Sequence, residues 1–78
     1  MLSSSSVRYL LTIYELSDGG NEVRSMDIAS KLRTSRSAVS RSLKTMVEEG
    51  LVDKELRGTV RLKDRGIQEA ASLYTEFA

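Results

Sequence analysis

Apolar residues recur along this chain at two spacings, and the change from one to the other falls near residue 50. Val7, Leu10, Leu11 and Tyr14 stand at i, i+3, i+4 and i+7, with Ile13 and Leu16 widening the stripe. That period places them on one face of a helix over about residues 5–16. Ser17, Asp18, Gly19, Gly20 and Asn21 stop it, because glycine there permits a left-handed C-cap. Glu22, Val23 and Arg24 leave room for no more than a strand stub. Ser25 is expected to cap a second helix over residues 26–32, with Asp27 in its first turn, where the helix dipole favours a negative charge. Ile28, Ala29 and Leu32 form its inner stripe. Arg33 and Thr34 make a tight connection to a third helix, with Ser35 as its N-cap and its end near residue 49.

Gly50 closes that helix, and the period then becomes two. Val52 and Leu56 alternate with charged residues, as do Val60 and Leu62, and Arg57 and Gly58 separate the two runs. Such runs around a glycine turn predict a β-hairpin over residues 51–62. Ile67, Ala70, Ala71 and Tyr74 restore the helical spacing, so a fourth helix starts near residue 64. Tyr9 and Tyr14 are expected in the core or at its edge, and Phe77 at a frayed end or facing a partner. Helix, helix, helix, hairpin, helix is a mainly α winged helix-turn-helix, with a three-helix core, a wing and a C-terminal helix. Residues 1–78 are expected to form one domain.

The third helix carries the candidate chemistry. At about 100° per residue, Arg36, Ser37, Ser40, Arg41 and Lys44 fall within one arc of about 140°. Val39, Leu43 and Met46 project from the opposite side. The arc presents basic and hydroxyl donors and no carboxylate, which is the chemistry that meets phosphates and guanine edges in a DNA major groove. Net charge adds little, at +1, but its distribution adds more. Lys31, Arg33, Arg36, Arg41 and Lys44 follow one another without an acid, and Glu48, Glu49, Asp53 and Glu55 come directly after. A local basic patch on a near-neutral chain points to a small docking surface.

Composition removes other functions. The chain has no Cys and no His, so disulfides, zinc fingers and histidine acid–base catalysis are excluded. No paired carboxylates sit in an apolar setting, and an enzyme is not expected. No apolar run approaches the ~20 residues of a membrane span and nothing resembles a signal peptide, so the cytoplasm is the expected compartment. No cofactor or small-molecule ligand is evident.

Tyr9-Leu10, Ile13-Tyr14, Asp27-Ile28-Ala29, Leu32, Ser35, Val39, Leu43, Glu49-Gly50-Leu51-Val52, Arg57-Gly58, Leu62, Gly66 and Ala70 occur in an informative order. In that combination the chain resembles the N-terminal domain of the iron- and manganese-dependent repressors, the diphtheria-toxin-repressor-like family. The resemblance implies a recognition helix in the major groove, with Ser35, Ser37 and Arg41 facing DNA and a wing, Arg57 at its tip, along the backbone. Arg36 stands where such proteins often carry a small residue or proline. The resemblance also implies a metal site, but its ligand places hold Arg8, Leu11 and Phe77, none of which is a useful ligand. The family's later metal-binding and dimerising helices have no counterpart in these 78 residues. The sequence therefore predicts a DNA-binding transcriptional regulator, a repressor by resemblance, or the DNA-binding domain of one. It is expected to be indifferent to metal, and monomeric or weakly dimeric through the outer helices near Val7 and Phe77. The alternative is a winged-helix protein-interaction module.

Overall fold

The computed structural model describes residues 4–54 and 58–77, with the backbone alone at residues 4, 5, 76 and 77. Its elements are α1 (Ser4–Ser17), β1 (Val23–Arg24), α2 (Ser25–Leu32), α3 (Arg36–Glu48), β2 (Val52–Lys54), β3 (Thr59–Leu62) and α4 (Asp64–Phe77). The fold is a mainly α winged helix-turn-helix, as the sequence predicts.

The stripes read from the sequence meet in one core. Leu10 and Ile13 of α1, Ile28 of α2, and Val39, Leu43 and Met46 of α3 are all fully buried. Leu51, Val52 and Val60 close the core from the wing side. Each such side chain contributes about 1.5–3 kcal/mol when removed from water. Tyr9 is buried and Tyr14 is half-buried against the cluster.

The stub at Val23 is a third strand. The sheet runs β1-β3-β2 and is antiparallel throughout. Val23 pairs with Val60 and Arg24 with Thr59, while Val52, Asp53 and Lys54 pair with Leu62, Arg61 and Val60. Leu56, placed by the sequence in the first strand of the hairpin, and Arg57, placed at its turn, lie outside the described residues.

Two cap expectations are corrected. Arg24, not Ser25, occupies the N-cap of α2, and no side chain caps it. The Ser25 amide instead donates to the Gly58 carbonyl at 2.9 Å, so the wing satisfies one of the four amides left without a partner at the helix start. After α1 the left-handed conformation begins at Asp18 (φ 47°), one residue before the glycines. The buried Ser17 hydroxyl makes this possible: it donates to the Tyr14 carbonyl at 2.9 Å and accepts from the Gly20 amide at 3.3 Å.

Two contacts hold the outer parts. Gly66 lets the first turn of α4 press on the Leu51 carbonyl, and a β-carbon at 66 would stand 2.1 Å from that oxygen. The same carbonyl accepts from the Lys63 amide at 2.9 Å. Farther along α4, the Tyr74 and Tyr14 rings pack with centroids 5.4 Å apart. The Tyr74 hydroxyl donates to Glu15, whose other oxygen pairs with Lys31 Nζ at 2.7 Å. Glu15 thus joins α1, α2 and α4. Its pKa lies below the usual carboxylate value, first through the Lys31 bond and then through Tyr74. The bond to Glu15 favours the neutral phenol, and the Tyr74 pKa is pushed up to about 12.

Candidate nucleic-acid interface

Helix α3 is fixed at its start and along its inner face. Ser35 is extended, and its hydroxyl accepts from the Ala38 amide at 3.1 Å, as expected of an N-cap. Arg33 just before it is left-handed (φ 53°), which closes the turn from α2. With Val39, Leu43 and Met46 buried, the opposite face must be solvent-exposed.

That face lines an open groove of about 760 Å³ formed by Arg36, Ser37, Ser40, Arg41, Lys44, Val47, Glu48 and Lys54. Five of the seven residues singled out in the sequence therefore share one surface. Ser35 is exposed but caps the helix and does not line the groove. Arg57 lies outside the described residues. The expectation of a face without carboxylates holds only as far as Lys44, since Glu48 lines the far end. Carried one turn further, the same helical rotation places Val47 at about 20° and Glu48 at about 120° from Arg36, inside the arc. Lys54 was not singled out because only the pairing of β2 with β3 sets it beside α3.

A second concavity, of about 230 Å³, continues from the first. Arg24, Ser25 and Met26 line it with Arg36, Ser40, Lys54, Gly58 and Thr59. Met26 and Val47, the large hydrophobic side chains most exposed among the described residues, each line one of these two grooves.

The cations of this face are free of ion pairs among the described residues. Ion pairs among the described residues join Lys31 to Glu15, Lys63 to Asp53 at 3.5 Å and Arg61 to Glu22 at 4.0 Å. None of these cations lines either groove. Arg24, Arg36, Arg41, Lys44 and Lys54, which do, form no ion pair among the described residues. An incoming anion would have no internal partner to displace.

The family model of the iron dependent repressor N-terminal DNA-binding domain matches residues 1–60. The chain belongs to this family. DNA binding in transcription regulation is the family's role, and solved structures share the fold of this chain. AF1382 from Archaeoglobus fulgidus is 32% identical with a TM-score of 0.86, over 99% of this chain and 88% of that one. MepR, a transcription regulator of the Staphylococcus aureus multidrug efflux pump MepA, is 20% identical with a TM-score of 0.80, over 97% of this chain and 57% of its own, and shares the fold. A protein of Ralstonia eutropha JMP134 assigned to DNA binding is 25% identical with a TM-score of 0.72, over 95% and 99%. No curated protein matches the sequence.

The family name implies iron, and the donors present here do not fit it. Arg8 is exposed and shares a cavity with Arg33, and Leu11 is a half-buried aliphatic. Two fixed cations beside a ligand place repel a divalent ion. No group of three or more Asp or Glu residues able to hold a metal occurs among the described residues, and the chain has no His or Cys. The Phe77 side chain lies outside the described residues.

Proposed function

We propose that this iron-dependent repressor domain reads a specific duplex sequence with α3 in the major groove and represses transcription without metal control. Arg41 sits in the middle of the exposed face, where a guanidinium can grip guanine O6 and N7 together. Arg36, Lys44 and Lys54 meet phosphates, and Ser37 and Ser40 add hydrogen bonds to bases or backbone. Ser35 holds the start of the helix at the DNA, and Arg57 reaches the backbone from the wing. The observation that carries this reading is the groove along α3, which gathers Arg36, Arg41, Lys44 and Lys54 on one surface with no ion pair to any of them among the described residues.

Residues 1–78 act as one domain in this reading, with no catalytic role and in the cytoplasm. No helix among the described residues is long and apolar enough to cross a membrane. A monomer or a weak dimer through the outer helices near Val7 follows, and solution mass across concentrations tests it. A dimer persisting at nanomolar concentration would refute it.

The deciding experiment is a salt titration of duplex binding. Each neutralised phosphate lowers the log–log slope by about 0.9, so three to four phosphate contacts give a slope near −3 to −4. Affinity independent of salt, or no binding to duplexes selected from a random pool, would instead favour a protein-docking module.

A further inference from the structure

A third cavity, of about 220 Å³, shares no lining residue with the two grooves along α3. Arg8 and Tyr9 of α1 and Leu32, Arg33 and Thr34 at the end of α2 line it. None of its four polar side chains makes a hydrogen bond or ion pair among the described residues. Tyr9 is 9% exposed, and its hydroxyl has no protein partner among the described residues and reaches solvent. The Thr34 amide is already bonded to the Ala29 carbonyl at 3.0 Å, which leaves its hydroxyl for another acceptor.

Arg33 adds an independent observation. It holds φ at 53°, a conformation that glycine or asparagine reaches more easily. An arginine there lines the same cavity as Arg8, with no carboxylate among the described lining residues. Two permanent cations with two hydroxyl groups, and no carboxylate among the described lining residues, suit an oxyanion, and guanidinium forks match phosphate oxygens.

We propose that Arg8, Tyr9, Arg33 and Thr34 form a clamp for a backbone phosphate of bound DNA, next to the segment read by α3. Arg33 and Thr34 directly precede Ser35, so the cavity opens at the end of the helix that enters the groove. In a helix-turn-helix the elements around that end cross the sugar–phosphate backbone. The inference rests on the DNA reading above and adds to it a second anchor, at a place unrelated to the wing. It also gives Arg8 a function at a position where a metal ligand does not fit.

The test compares salt slopes of DNA binding for the wild-type chain, Arg41→Ala, and the double variant Arg8→Ala, Arg33→Asn. Asparagine retains the left-handed turn. The double variant should lower the slope by about 0.9 per phosphate lost, with equal loss of affinity on selected and random duplexes. Arg8→Lys with Arg33→Lys should keep the slope, because the charge remains. Circular dichroism and melting establish that each variant is folded. An unchanged slope in the double variant, with a steep wild-type slope, overturns the clamp and leaves the DNA reading intact. A wild-type slope of zero overturns both. Melting in inorganic phosphate against chloride of equal ionic strength separates the other source of this chemistry. Phosphate stabilisation that needs both arginines, with no change in DNA slope, overturns the clamp in favour of a free anion.

Discussion

Gly66→Ala sets two physical effects of opposite sign against each other. Gly66 is the third residue of α4, and alanine is favoured over glycine in a helix by about 1 kcal/mol. Propensity alone therefore predicts a more stable protein. The added β-carbon, however, would lie 2.1 Å from the Leu51 oxygen, and 3.1 Å from both the Leu51 carbonyl carbon and Leu62 Cδ2. The closest obstacle is backbone, which cannot rotate aside, so α4 must lift or the base of the wing must shift. Overpacking of this kind costs about 1–3 kcal/mol, and the upper end applies where backbone must yield. The Lys63–Leu51 hydrogen bond, at 2.9 Å, is strained by the same movement and adds about 1 kcal/mol. The net destabilisation is about 2–3 kcal/mol, against a total of roughly 4–12 kcal/mol for a chain of 78 residues. At about 4–8 °C per kcal/mol the melting temperature should fall by roughly 10–20 °C. Thermal unfolding by circular dichroism measures it, with Gln68→Ala on the exposed side of α4 as control, expected within about 0.5 kcal/mol of wild type. A Gly66→Ala protein that melts at or above the wild-type temperature would show that helix propensity outweighs the close approach, and the reasoning would be wrong.

Three further outcomes are expected. Arg41→Ala should cost about 1–3 kcal/mol of DNA affinity on a selected site and relax base preference there, and an equal loss on random duplex would reduce Arg41 to a phosphate contact. Chelator, manganese and ferrous iron should each leave DNA affinity within about tenfold, or about 1.4 kcal/mol, and a larger change would reveal a metal site. Because folding raises the Tyr74 pKa to about 12, its bond to Glu15 stabilises fully below the unfolded value near 10 and is lost as pH rises through 12. Wild type should therefore lose stability more steeply than Tyr74→Phe between pH 10 and 12, and parallel curves would refute the linkage.

Much of this was legible in the sequence because helical spacing is a local signal. Val39, Leu43 and Met46 declare the buried side of α3, and that alone exposes Arg36, Ser37, Ser40, Arg41 and Lys44. Ser35 could be read as a cap because its partner, the Ala38 amide, is three residues away. Features that depend on distant chain were not readable. Ser25 looked like a cap, but its amide is taken by Gly58, 33 residues later. Val23 looked like a stub because its partner is Val60. Lys54 joins the candidate site only through strand pairing, and Arg8 meets Arg33 only because α1 packs on α2. Glu48 was within reach of the helical rotation and shows where the basic face ends.

The pairing of β1 with β3 also has a consequence for the order of folding. Val23 and Val60 enclose α2, α3 and β2 in the chain between them. Closing so long a segment is entropically slow, whereas the α2–α3 turn and the β2–β3 hairpin close over short ones. The outer strand is therefore expected to dock last, after the transition state. Truncating Val23 to alanine should then quicken unfolding and leave the refolding rate nearly unchanged in stopped-flow measurements. A protein built this way assembles its reading helix first and ties the wing to it afterwards, so transient opening begins at the two-residue strand while the groove-facing helix stays formed.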